Sequence, residues 1–330
     1  MKPVSSRCAH LLIIAALAFV GAYVPAAFAQ DASGYPSKPV RFVVGQSPGG
    51  ATDIVARLVA QGLTENLRQT VFVENRTGAA GSIGATFVAK SAPDGLTALV
   101  VSSSYAINPS VYKKLPFDPV KDFAPVSLIA EAPFLLVIHP SLPVHSVKEL
   151  IAFVRARPGE MNYASGGIGS SGHLAGELFV RLAKLDMVHV PYKGAGPARI
   201  DVMTGQVHMT FASVLSSLPH VKSGKLRALA VTSAKRSAAI PDLPTMEEAG
   251  VKGYRRTTWY AVLAPAKTPD AVVAKLSSAI HNVVQSPDVR KRLLVDGAEP
   301  EGSSPQQFHE FLVAEIAVAR DIIRRAKIKK

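Results

Sequence analysis

The chain has 330 residues, 48% hydrophobic and 18% charged, with 37 Lys and Arg against 24 Asp and Glu, a formal charge of +13 and one cysteine. That hydrophobic share excludes a disordered polyelectrolyte, and a lone cysteine excludes a disulfide framework or a cysteine metal cluster. The basic surplus is not arranged for nucleic acid: Arg320, Arg324, Arg325, Lys327, Lys329 and Lys330 form a basic tail and the rest are scattered with few aromatics between them, which suits solubility and the long-range attraction of small anions.

In chain order, the first element is a targeting signal. Lys2 and Arg7 precede an apolar core, LLIIAALAFVGAYV (Leu11 to Val24), and Ala27-Phe28-Ala29 supplies a small-x-small cleavage site. The run is shorter than the roughly 20 residues of a spanning helix. Residues 1–29 therefore read as a signal peptide cleaved near Ala29/Gln30, with export of the remainder. Cleavage removes Cys8, and with it any thiolate chemistry, and lowers the charge by the two cations Lys2 and Arg7.

The remaining stretch, about 300 residues, exceeds one ordinary core, so two domains are expected. Short apolar runs alternate with amphipathic stretches. VRFVV (40–44) is followed by a helix in which Ile54, Val55, Leu58, Val59 and Leu63 fall at helical spacing, and VFVE (71–74) by the glycine-rich GAAGSIGATFVAKSA (78–92). LTALVVSS, VSLIA, FLLVIHP, MVHVPY, HMTFAS and LRALAVTS continue the strand series. Strands alternating with helices predict an α/β fold with mainly parallel sheets covered on both faces. Four prolines between Pro109 and Pro125 predict a long loop before a strand at Val126 to Ala130, and a second irregular stretch precedes TTWYAVLAP (257–265). If these two apolar runs cross between lobes, residues 30–132 and 257–330 form one discontinuous lobe and 133–256 the other, with a ligand cleft between them.

Three loops rich in glycine and serine each follow a predicted strand: GQSPGG (45–50), SSSYA (102–106) and SGGIGSSGH (165–173). Loops at the carboxyl ends of parallel strands converge on the ligand crevice, and their amides and hydroxyls at helix starts are suited to an anion. Gly45 to Gly50 has the glycine spacing of a Walker loop, but Ala51 stands where its lysine belongs, and Pro48 removes an amide. Gly167-x-Gly169-x-x-Gly172 matches a dinucleotide fingerprint, but the strand before it is short and Asp186 is too close to serve a ribose. Ser170 or Ser171 beside His173 allows a secreted hydrolase as an alternative, though no GxSxG elbow is present. No HExxH occurs, and neither a metal nor a cofactor is expected. His173 reads as a residue that orients its loop, and Asp53, in the first helical turn, as a structural carboxylate tying up loop amides.

Five colinear motifs, PGGATDIVAR (48–57), ENRTGAAGSIGATFVAKSAPDG (74–95), NYASGGIGSSGHLAGELF (162–179), VPYKGAGPARIDVMTGQVHMTFAS (190–213) and LPTMEEAGVKGY (243–254), resemble the tripartite tricarboxylate transporter substrate-binding family, also called the Bug family. The resemblance covers the whole exported chain. It implies a periplasmic solute-binding protein, not an enzyme, with a two-lobed Venus-flytrap fold that closes on a small carboxylate and serves the membrane components of a tripartite transporter. A loaded sensor docking on a membrane receptor is the other role this implies. A monomer is expected. By resemblance the ligand carboxylate is held, partly through ordered waters, at Pro48, Gly49, Gly50, Ala51 and Thr52 and at Ser165, Gly166, Gly169, Ser170 and Ser171, with Ser103, Ser104, Ala212 and Ser213 completing the cleft and Asp53 and His173 supporting it. Gln46 stands where many relatives have an aromatic residue or proline, which makes it a determinant of ligand choice. Ala212 stands where some place an acid, which disfavours an amino-acid ligand.

Overall fold

A computed structural model describes residues 34–112 and 114–326, so the expected signal peptide and the end of the basic tail lie outside the described residues. The strand β1 (Val40–Val44) is buried along nearly its whole length, because neighbours on both edges and helices on both faces cover it. It leads to helix α1 (Ala51–Leu67), which buries Val55, Ala56, Val59 and Leu63 on one stripe. Next come β2 (Val71–Asn75), a 3-10 turn (Ala79–Gly81), α2 (Ser82–Ala89), β3 (Thr97–Ser102) and α3 (Ser104–Val111). Both β2 and β3 run parallel to β1.

The long strand β4 (Phe123–Ile138) follows, then α4 (Val147–Arg155), β5 (Asn162–Ser165), α5 (Ser171–Leu182), β6 (Val188–Pro191) and α6 (Ala195–Met203). The chain continues through β7 (Met209–Ser213), α7 (Val214–Lys222), β8 (Arg227–Val231), β9 (Thr257–Pro265), α8 (Asp270–Gln285), α9 (Pro287–Val295), the short β10 (Glu299–Pro300) and α10 (Pro305–Ala326). Strand β5 pairs parallel with β6 and β7, whereas β4 and β9 are antiparallel to their neighbours. The result is a mixed α/β architecture of two halves, in the strand order β2-β1-β3-β9-β4-β7-β5-β6.

Strand β4 joins the halves. Up to Pro133 it is hydrogen-bonded to β9, and from Phe134 onward to β7. Two features of this region differ from the sequence expectation. VSLIA and FLLVI are one strand of 16 residues rather than two, because Glu131 and Pro133 remain in register with Trp259 and Thr257 of β9 instead of breaking the ladder. The expected long loop also starts later, since Pro109 lies inside α3, near its end, where the missing amide costs one helical bond.

Candidate functional site

Where the two halves meet lies a cavity with about 90 Å³ of room for the centre of a water-sized sphere. Its wall is built from chain reversals. Gln46, Ser47, Gly50, Ala51 and Thr52 come from the β1–α1 turn, Gly166, Ser170, Ser171 and Gly172 from the β5–α5 turn, and Gly194 and Ala195 from the β6–α6 turn. Ser102, Ser104, Ala212, Ser213, Thr258 and Tyr260 complete the polar and small lining, and Phe134 and Phe211 contribute aromatic rings. No Asp, Glu, Lys, Arg or His lines the cavity among the described residues.

The electrostatics therefore come from backbone. Five helix N-termini, those of α1, α3, α5, α6 and α7, place first-turn or capping residues on this wall. Amides of a first helical turn have no intrahelical acceptor, and the summed peptide dipoles give each such end a partial positive charge. Ala51 and Thr52 on one side, and Gly172 and Ala195 on the other, are first-turn residues of this kind. The arrangement can bind an anion without any cationic side chain.

Asp53 fixes the first of these turns. Its carboxylate, buried at 3% exposure, accepts from the Gly49 amide at 3.0 Å, from Arg57 Nε at 3.0 Å and from Asn75 Nδ2 at 2.9 Å. Burial alone would raise its pKa, but the bonds from Arg57, Gly49 and Asn75 together outweigh burial and hold it below the usual carboxylate range. Asn75 also donates to the Gln46 carbonyl at 3.1 Å, so one side chain pins both ends of the GQSPGG turn.

Hydroxyls stitch the halves together. Ser171 Oγ lies 2.7 Å from Ser103 Oγ and 3.0 Å from Ser104 Oγ, and Ser104 Oγ accepts the Ser171 amide at 3.2 Å. Ser103 Oγ is also 2.9 Å from Thr258 Oγ1. Across the cleft, Ser47 Oγ accepts the Gly196 amide at 3.4 Å. Gly194 faces the same serine with φ +126°, where an added Cβ would sit 2.5 Å from Ser47 Oγ. Gly194→Ala is therefore expected to cost about 1–3 kcal/mol of stability, and adding Ser47→Gly should recover the steric share while leaving the backbone strain. Urea unfolding of both variants checks this; an unchanged midpoint for Gly194→Ala would refute it.

His173 supports the β5–α5 turn from below. Ser170 Oγ caps α5 by accepting the His173 amide at 3.2 Å, and the ring Nδ1 accepts the Gly169 amide at 3.3 Å. The ring stacks on His189 at 4.0 Å, and His189 Nε2 is 2.7 Å from Ser165 Oγ. Burial pushes both imidazoles down to about 4, and His189 is lowered further by its histidine neighbour, with Glu177 opposing. Tyr163 donates to Glu177 on the far side of the stack.

The structure brings Gln46, Gly50, Ala51, Thr52, Ser104, Gly166, Ser170, Ser171, Ala212 and Ser213 to one wall. Pro48 and Gly49 are exposed on the outer side of their turn. Ser103, Ser165 and Gly169 lie behind the lining, where they hold Ser171, His189 and His173 respectively. Residues not foreseen include Gly194 and Ala195, whose glycine opening a helix after a strand carries the same signal as the three recognised loops, Thr258 and Tyr260, which alternate along β9 with the oppositely packed Trp259, and the aromatic rings of Phe134 and Phe211.

The hydrolase alternative is withdrawn. Ser170 Oγ is engaged as a helix cap, Ser171 Oγ by Ser103 and Ser104, and the His173 ring by Gly169, so neither serine meets a base. The pair of buried Ser165 and half-buried His189 lies outside the cavity wall.

Comparison with known proteins agrees in sequence and fold. The model of the tripartite tricarboxylate transporter family receptor matches residues 55–328. Protein BugT of Bordetella pertussis is 38% identical over 303 residues, 91% of this chain and 93% of that protein. Among solved structures, R. palustris Rpa4515 with adipate superposes with a TM-score of 0.87 at 40% identity, covering 89% of this chain and 98% of that one. MatC from Rhodopseudomonas palustris with bound malate superposes with a TM-score of 0.83 at 34% identity, covering 88% and 100%.

Proposed function

The chain belongs to the tripartite tricarboxylate transporter receptor family, and on that premise we propose that its cavity captures a small carboxylate for the membrane components of a tripartite transporter. Receptors of this family are periplasmic solute-binding proteins, not enzymes. The observation that carries the reading is the convergence of helix N-termini from both halves on a cavity lined, among the described residues, by no charged side chain. Adipate in Rpa4515 and malate in MatC are both carboxylates, which supports the same ligand class here. Di- and tricarboxylates and aromatic acids are the classes to consider.

Magnitudes agree with this reading. A hydrogen bond to a charged group contributes about 1.5–3 kcal/mol. Four such bonds, less the cost of association, reach roughly the 8 kcal/mol of a micromolar complex. Ordered waters bridging the carboxylate to hydroxyls would add to these without a cationic clamp. Because the amides come from both halves, the acid binds the closed arrangement better than an open one, and closure follows from that difference. In this scheme the lobes are 30–132 with 257–330, and 133–256, the ligand-bound form is a monomer, and export removes residues 1–29.

Isothermal titration of the exported, purified protein against mono-, di- and tricarboxylates and aromatic acids tests the assignment. At least one acid should bind at micromolar affinity, and its uncharged amide should bind at least tenfold more weakly. Silence across the panel would sink the carboxylate reading. The intact mass of the same preparation checks removal of the first 29 residues.

A further inference from the structure

Contiguous with the first cavity is a second and larger one, with about 240 Å³ of room on the same measure. The two share Gln46, Ser47, Ala80, Gly166 and Gly194. The first is walled in part by residues of β4, β7 and β9, whereas the second is walled by segments that follow β1, β2, β5 and β6, the strands at the two ends of the sheet order. The ligand space therefore continues outward, away from the joining strand β4. Lys193 is exposed on that outer lining and is its only charged side chain among the described residues, where it has no hydrogen bond or ion pair. The other half contributes the turn at residues 77–81. Ala79 and Ala80 in it have φ of 46° and 51°, a left-handed conformation unfavourable to residues that bear a Cβ, and Asn108 Nδ2 pins it by donating to the Ala80 carbonyl at 3.2 Å. The amides of Gly78, Ala79 and Ala80 donate to no protein group among the described residues. The Tyr112 and Tyr192 hydroxyls on the same lining already donate, to the Ile168 carbonyl at 3.4 Å and to Asp201 at 2.6 Å.

We propose that the second cavity is the subsite for a second carboxylate of the ligand, held between Lys193 of one half and the free amides of the 77–81 turn of the other, so that the cleft selects elongated dicarboxylates. This deepens the carboxylate reading and rests on it. One carboxylate is satisfied in the first cavity by helix-end amides alone; the second cavity adds an unpaired cation and unpaired donors, which a second carboxylate would satisfy. A monocarboxylate of equal length would instead lay an apolar end against these groups, displacing water from them without replacing its hydrogen bonds. Discrimination arises from that difference. Because Lys193 is exposed, its own share is modest and screened by salt.

The test is calorimetry with acids in pairs of equal length: glutarate with pentanoate, adipate with hexanoate, suberate with octanoate, and terephthalate with benzoate. In the wild type the dicarboxylate should bind about tenfold tighter than its partner in at least one pair. Lys193→Met should lower that ratio about three- to fivefold, the range of an exposed ion pair, and Lys193→Arg, which keeps the charge, should preserve most of it. Added salt should lower the wild-type ratio more than the Lys193→Met ratio. A ratio taken within one variant does not depend on the fraction folded. If acids bind but no pair is discriminated, or Lys193→Met keeps the ratio, the second subsite is overturned while the carboxylate reading stands. If no acid of the panel binds, that reading falls and this assignment with it.

Discussion

Replacing Asp53 by alanine is expected to lower the free energy of unfolding by about 2–4 kcal/mol, the range for breaking a buried network of charged hydrogen bonds. The change leaves the Gly49 amide without its side-chain acceptor, takes one of two acceptors from Asn75 Nδ2 and removes the carboxylate partner of Arg57 Nε. Asp53→Asn keeps one oxygen for Gly49 or Asn75 and should lose about half as much. Ligand affinity should fall with Asp53→Ala, because the turn that presents Gly50, Ala51 and Thr52 to the cavity loses its tie. Urea titrations of both variants supply the measurement. A loss under about 1 kcal/mol for Asp53→Ala would show that Asp53 does not hold the turn.

Acidification from pH 6.5 to pH 4 is expected to destabilise the fold through the stacked pair His173 and His189. Well above pH 6.5 both rings are neutral in folded and unfolded chains alike, so they contribute no pH dependence there. As the pH falls, the unfolded chain takes up protons at the ordinary imidazole value of 6.5, whereas the folded rings accept them only near 4. Unfolding therefore becomes favoured by roughly 1.4 kcal/mol per pH unit for each histidine, and the loss levels off below about pH 4. His208 and His220 are lowered by burial and act in the same direction, whereas Glu131 and Glu301, raised by burial, act in the opposite one. The lowered carboxyl of Asp53 stays ionised through this window, and its share is lost only below the carboxylate range. Unfolding free energies at several pH values, compared with a His173→Gln, His189→Gln protein, isolate the pair. An equal pH slope in that protein would rule the pair out as the cause.

Local pattern made the strand-and-helix alternation readable. VRFVV is apolar at every position but Arg41 because both faces of β1 are covered, and the stripe from Val55 to Leu63 is helical because only one face of α1 is. The turns at Gly50, Gly166 and Ser170 were readable for a chemical reason, since glycine and serine at a helix start after a strand suit an anion. What stayed hidden depends on tertiary partners. Glu131 and Pro133 look like a break in β4 until the matching register of β9 is known. Which of Thr258, Trp259 and Tyr260 face the cavity cannot be read from alternation alone, because β9 is buried on both faces. Ser103 and Ser104 are adjacent in a run of serines, and only the fold separates the one that braces Ser171 from behind from the one on the wall.

Strand β4, continuous across both halves, sets the mechanics of the molecule. At about 3.3 Å per residue it is a rod roughly 50 Å long, hydrogen-bonded on one portion to β9 and on the next to β7. If one half rotates against the other, as proposed for closure, the motion passes along β4 through paired backbone as a twist of the ladder. Under that proposal β4 would act as a torsion spring whose travel is limited by what its ladder hydrogen bonds tolerate, with its two register shifts as the points of least stiffness.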